Sequence, residues 1–232
     1  MPATRELINQ VMQSQIPNFA HNFKKRYASK GSGLKNLIYK ANNPFISALG
    51  EEVVIYSALM RSLDSSLGNC LESIARSIAE ASYEVHKEVE GDVPVEVDEQ
   101  INNLMNEYLH KKRIPKSSDL AEITSFNVIT GKLEHKIHKS DYHLIKKSDP
   151  QQHFLLELKI GGDLDNKKAR SEKQALLEQY AILKYSNQIK DNSIIKIFFA
   201  TAYNKFGDDE IWKQERVKQF FGEDELLIER DF

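Results

Sequence analysis

Only one cysteine, Cys70, occurs in 232 residues. It excludes an internal disulfide framework and argues against a cysteine-built metal centre. No stretch reaches the roughly 18 consecutive apolar residues of a membrane-crossing helix, so no membrane partner is expected. The polar opening residues also lack the apolar core of a secretion signal. Together these absences lead to the expectation of a cytoplasmic protein. Net charge is small, −2, and exerts no global pull on a polyanion. What is missing locally says more: no Asp or Glu occurs between Leu7 and Gly50, whereas Lys24, Lys25, Arg26, Lys30, Lys35 and Lys40 do. Further basic groups are Lys111, Lys112, Arg113 and Lys116, and then Lys167, Lys168, Arg170 and Lys173. Acids pool in 84–99 and in the tail from 208 to 231. Segregation of this kind suits a protein with one anion-facing side, although any single cluster also reads as a solvated face.

The chain is long enough for one substantial core and does not require two, so a single domain over 1–232 is expected. Within it we read a basic helical arm (1–45), a helical layer (46–115) and a sheet with flanking helices (116–232). Apolar spacing predicts helices over 3–14 and 19–28, separated at Pro17, and over 44–63. A second long helix is predicted after a break at Ser65-Ser66-Leu67-Gly68, and another over 97–111. The period then changes. Strands are expected over 141–147 and 153–160, joined by the turn-forming Ser148-Asp149-Pro150-Gln151. A helix follows over 166–185, a buried strand over 193–201, a helix over 209–220 and an edge strand over 225–228. Helices, then a hairpin, then helix–strand–helix describe an α/β layer with the sheet covered by helices.

Three acid-x-lysine triplets lie in the second half: Glu134-His-Lys136, Glu157-Leu-Lys159 and Asp165-Asn-Lys167. The first is in a polar stretch and the last opens a helix, where its side chains diverge. Glu157-Leu158-Lys159 alone sits within an apolar run, Phe154-Leu-Leu-Glu-Leu-Lys-Ile160. Alternation on a strand puts Glu157 and Lys159 on one face with His153 and Leu155, and leaves Phe154, Leu156, Leu158 and Ile160 for a core on the other. Antiparallel pairing of the hairpin brings Asp141, at the start of the first strand, near Glu157 and Lys159. Two carboxylates plus the Leu158 carbonyl then suit Mg²⁺, which polarises a phosphodiester and acidifies water. Lys159 is placed to orient that water and steady the transition-state charge. Gly161-Gly162 follows at once and leaves room for a phosphate backbone.

Ser140-Asp141…Glu157-Leu-Lys159 resembles the PD-(D/E)xK signature of type II restriction endonucleases, with Ser in the place where Pro often stands. Ser66-x-Gly68-x-x-x-Glu72 is similar to a helical segment that contributes an extra acid in several such enzymes. Ala200-Thr-Ala-Tyr-Asn204…Trp212…Glu225-Leu-Leu-Ile-Glu resembles their last core strand and C-terminal helix. Together these segments resemble the TdeIII-like enzymes of that group. The resemblance implies a central mixed sheet flanked by helices, and water attack on a phosphodiester of double-stranded DNA. Asp141 and Glu157 would hold metal, Lys159 would assist the nucleophile, and Glu72 would bind metal or water. It also implies a homodimer matched to a palindromic site.

Candidate DNA contacts are Lys167, Lys168, Arg170 and Lys173 at a helix start, Ser66 on the acidic segment, and Tyr203, Asn204 and Lys205 after the last strand. His135, His138, His143 and His153 crowd together, but they suit surface or phosphate contacts better than zinc. A structure-specific repair nuclease, a non-catalytic DNA-binding protein and a helical interaction module remain open as alternatives.

Overall fold

The computed structural model describes residues 5–28, 44, 48–126, 130–161, 164–186, 189–190, 192–207 and 210–229. The basic residues Lys30, Lys35 and Lys40, together with Gly162, lie outside the described residues. The backbone gathers into two units, 1–81 and 82–232.

The first unit holds α1 (Arg5–Tyr27) and α2 (Glu51–Ala79). The expected breaks do not occur. Pro17 lies inside α1; it removes one backbone donor, which a helix with helical spacing on both sides survives. Ser65, Ser66 and Gly68 likewise lie within a continuous α2. Glycine costs a helix roughly 1 kcal/mol relative to alanine, too little to end one 29 residues long. Val54, Ala58, Ile74 and Ala75 are its buried apolar residues. Gln15 Nε2 donates to Ser77 Oγ at 2.9 Å and ties the two helices together.

The second unit is a five-stranded sheet in the order β1-β2-β3-β4-β5. The strands are β1 (Tyr83–Pro94), β2 (Leu133–Lys146), β3 (Gln152–Lys159), β4 (Ile194–Thr201) and β5 (Leu226–Ile228). β1–β2 and β2–β3 are antiparallel, whereas β3–β4 and β4–β5 are parallel. Two longer helices flank the sheet, α3 (Glu96–Leu109) and α4 (Asn166–Tyr185). The parallel step follows from connectivity: β3 leads into α4, which crosses the sheet and returns the chain to β4. The mixed sheet with flanking helices is the restriction-endonuclease-like core expected from sequence.

Three differences position the site. β1 occupies a span that the helical-layer reading covers. β2 begins at Leu133, so Asp141 lies well inside a long strand and not at its start. The expected helix over 209–220 is only one turn, Glu215–Lys218. The β2–β3 turn is held by Asp149: its Oδ2 accepts from Gln152 Nε2 at 2.7 Å and its Oδ1 from the Gln151 amide at 3.3 Å. The core joins α3 (Val97, Ile101, Met105), α4 (Ala169, Leu176, Leu177), Leu155 of β3, and Phe199 of β4. Leu155 is fully buried on the face that carries Glu157. Both faces of β3 are thus covered, not just the face of Leu156 and Leu158.

Candidate active site

The β2–β3 ladder is paired from Ile145–His153 to Tyr142–Leu156. One step further, Asp141 and Glu157 stand across from each other, and the backbone pairing gives way to a side chain: the Leu158 amide donates to Asp141 Oδ2 at 3.1 Å. A carboxylate that accepts from the backbone inside the triplet is held without depending on a flexible side-chain partner. Directly opposed residues share a face, so Asp141, Glu157 and Lys159 point the same way, towards α4.

Lys159 donates to Glu157 Oε1. Its Nζ also lies 3.1 Å from Glu172 Oε1 on α4. Glu157 is only 8% exposed. Burial drives its carboxyl pKa up; Lys159 pulls it back, and the Asp141 and Glu172 carboxylates push it up again, leaving it well above the ordinary range. Burial acts to lower the Lys159 ammonium, but attraction to Glu157, their hydrogen bond, Glu172 and Asp141 outweigh it and hold the ammonium above its ordinary value. Three carboxyl groups are thus crowded around one ammonium, and that crowding adds to burial in holding the Glu157 pKa up.

The Type II restriction endonuclease, HinfI family model matches residues 4–232. The chain belongs to the HinfI family of type II restriction endonucleases. No curated protein and no solved structure matches. Membership makes the chain a site-specific DNA endonuclease and therefore a hydrolase. The match does not bear on the TdeIII-like group.

The residues expected to meet DNA in this HinfI-family enzyme have different surroundings. Lys167 and Lys168 are exposed at the start of α4, where Asp165 Oδ1 caps the helix by accepting from the Lys168 amide at 2.7 Å. The Asp165 triplet does open a helix. Arg170 donates to Asn106 Oδ1 at 3.2 Å. Lys205 is exposed, with its ammonium 5.4 Å from the Phe206 ring centre. Tyr203 is half-exposed, and a methyl group on Gly161 would come within 2.8 Å of its hydroxyl. The space at Gly161, expected for a phosphate, is thus taken by Tyr203.

Two expectations are overturned. Lys173, a candidate phosphate contact by sequence, is 1% exposed and bonded to both Glu225 oxygens at 2.6 Å. No surface remains for it to offer a phosphate. Asn204, a candidate for base edges, donates from Nδ2 to the Glu210 carbonyl at 2.6 Å and accepts at Oδ1 from the Phe206 amide at 3.1 Å. Both ends of the amide are spent shaping the loop. Ser66 and Glu72 lie on α2 in the first unit, exposed at Glu72 and half-buried at Ser66.

The histidines do not converge. His135 meets Asp92 at 2.8 Å, and His138 meets Glu178 at 2.8 Å. His143 Nε2 and His153 Nδ1 are 3.0 Å apart and both buried. They share the face of Asp141 and Glu157 and pack against one another, with ring centres 5.3 Å apart.

Glu172 escapes the sequence reading. Its signal is positional: three residues after Ala169 and four before Leu176, it falls on the stripe of α4 that turns inward. An acid on a buried stripe needs a cationic partner, and Lys159 is that partner.

Proposed function

We propose that this enzyme hydrolyses both strands of double-stranded DNA at a short palindromic site, acting as a homodimer in the cytoplasm with Mg²⁺. The observation that carries the reading is the Asp141 carboxylate bonded to the Leu158 amide within the Glu157-Leu158-Lys159 triplet. The donor set fits a hard divalent cation: Asp141 and Glu157 supply carboxylate oxygens, and the Leu158 carbonyl adds a neutral one. A second cation beside Asp141 and Glu157 would also offset the burial and carboxyl crowding that hold the Glu157 pKa up, favouring its carboxylate form. Bound there, Mg²⁺ would supply Lewis-acid polarisation of the scissile phosphodiester.

The chain's own groups do the rest. Lys159 keeps its proton and donates hydrogen bonds to attacking water and to phosphate oxygens, steadying charge as it develops. The low exposure of Glu157 and Lys159 strengthens that interaction by limiting contact with bulk water. Lys167, Lys168, Arg170, Tyr203 and Lys205 are the proposed DNA contacts of the sheet unit. Ser66 and Glu72 are those of α2, with Glu72 binding metal or water. Two-fold assembly matches two active sites to the two strands of a palindrome.

The test is digestion of plasmid and phage DNA with Mg²⁺. Discrete limit fragments with symmetric ends support the proposal. Ragged products or a preference for branched DNA would point to a repair nuclease, and binding without cutting would overturn catalysis.

A further inference from the structure

We propose that Glu172 is a positioning residue for the nuclease reaction: it holds the Lys159 ammonium in place from the helix side while Glu157 serves the metal. That role presupposes the function proposed above. Lys159 has two carboxylate neighbours, Glu157 on its own strand and Glu172 at 3.1 Å on α4. The two differ in what else is asked of them. Glu157 faces Asp141 across the strand pair and belongs to the proposed donor set, so its oxygens are shared between cation and ammonium. Glu172 reaches Lys159 from a separate element and lies outside that donor set.

The helix is built to keep Glu172 there. The next residue, Lys173, is wholly buried and bonded to both oxygens of Glu225, one of which also accepts from the Gly222 amide at 2.8 Å. Ala169 and Leu176, a turn to either side, are 0% and 1% exposed. This turn of α4 can neither rotate nor slide without breaking a buried ion pair, and so Glu172 meets Lys159 from a fixed direction. A long, flexible lysine gains most from such a second holder, because its free rotamers place the ammonium away from the reacting phosphate.

The experiment measures cleavage of plasmid DNA by wild type, Lys159→Ala, Glu172→Ala and Glu172→Gln, over ranges of DNA and Mg²⁺ concentration. For Glu172→Ala, kcat is expected to fall roughly 10- to 100-fold, as for other residues that orient a reacting group. KM for DNA, the Mg²⁺ midpoint and the melting temperature should stay near wild type. Glu172→Gln keeps an oxygen acceptor for the ammonium, and its loss should be only about three- to tenfold. If Glu172→Ala fails to fold, the near-isosteric Glu172→Gln carries the same measurement. Wild-type kcat in either folded variant overturns the inference. So does a shifted Mg²⁺ midpoint, which would make Glu172 a metal ligand, or a kcat loss matched by collapse of the melting temperature in both. The two readings separate cleanly: no cleavage by wild type sinks the proposed function, whereas active wild type, inactive Lys159→Ala and fully active Glu172→Ala sink only the role of Glu172.

Discussion

Asp141 and Leu158 are joined by a hydrogen bond that replaces the next rung of the β2–β3 ladder, from the Leu158 amide to Asp141 Oδ2 at 3.1 Å. One carboxyl group thereby has a structural task and a proposed chemical one, and the two can be separated. Asp141→Asn keeps an oxygen that accepts from Leu158 but removes the charge a cation needs. Cleavage should fall by about 1000-fold or more, since metal binding contributes several kcal/mol and each ~1.36 kcal/mol is tenfold. The melting temperature should change by less than about 4 °C, the shift expected for roughly 1 kcal/mol in a chain of this size. Asp141→Ala loses both tasks and should melt lower than Asp141→Asn. Retained cleavage in the Asn variant, measured with Mg²⁺ on plasmid DNA, would refute the metal role.

Acid should weaken the fold through His143. Burial, then His153 and His86, push its pKa down from 6.5 to about 4. Once unfolded, the ring takes a proton near its ordinary value, whereas in the folded chain it stays neutral. Its contribution is therefore complete above pH 6.5 and is lost as pH falls towards 4. Between pH 7.5 and 5 this amounts to about 2 kcal/mol. Urea denaturation at the two pH values should show a difference of that order in wild type and a clearly smaller one in His143→Phe. Equal differences in the two proteins would assign the acid sensitivity elsewhere.

The strand of the proposed site, β3, is legible in the sequence because Glu157 and Lys159 interrupt an apolar run with period two, which neither a solvated face nor an amphipathic helix produces. β1 is harder to read, although its signal exists: Val85, Val89, Gly91 and Val93 alternate with Glu84, Glu88, Glu90 and Asp92. Read for charge, that stretch is an acidic run; read for period, it is an edge strand. Its close approach to the crossover helix, where a methyl group on Gly91 would lie 2.4 Å from Ser186 Cβ, explains the glycine. Asn204 and Lys173 mislead for a different reason. Residue type shows what a side chain can do, but whether it is spent inside the fold depends on partners distant in sequence, here Glu225, 52 residues from Lys173. Glu172 is the reverse case, a solvated-looking acid made relevant by Lys159.

The Lys173–Glu225 pair gives a stability prediction. Lys173→Met leaves the Glu225 carboxylate buried without its counter-ion, at a cost of about 3–5 kcal/mol. Glu225 also accepts from the Gly222 amide, so the fitting second change is to glutamine, which removes the charge and keeps the acceptor. Lys173→Met/Glu225→Gln should therefore be more stable than Lys173→Met alone by about 2 kcal/mol. Chemical denaturation of the three proteins decides it, and a double variant no better than the single one would mean that the buried charge is not what destabilises.

The same lysine separates two readings of the basic start of α4. Exposed Lys167 and Lys168 are placed to meet phosphates, whereas Lys173, one to two turns on, is sealed in the core. If the helix start meets DNA, replacing Lys167 or Lys168 by Ala should weaken binding to all sequences alike. Each lysine–phosphate pairing so removed should also reduce the slope of log K against log salt by about 0.9. Arg170→Ala should have a smaller effect, because its guanidinium already donates to Asn106 at 3.2 Å. Lys173→Met/Glu225→Gln, once folded, should leave the salt slope at its wild-type value. Binding titrations by fluorescence anisotropy across a range of salt concentrations measure all four. Unchanged slopes in the Lys167 and Lys168 variants would return this helix start to an ordinary solvated face and move DNA binding to other basic residues.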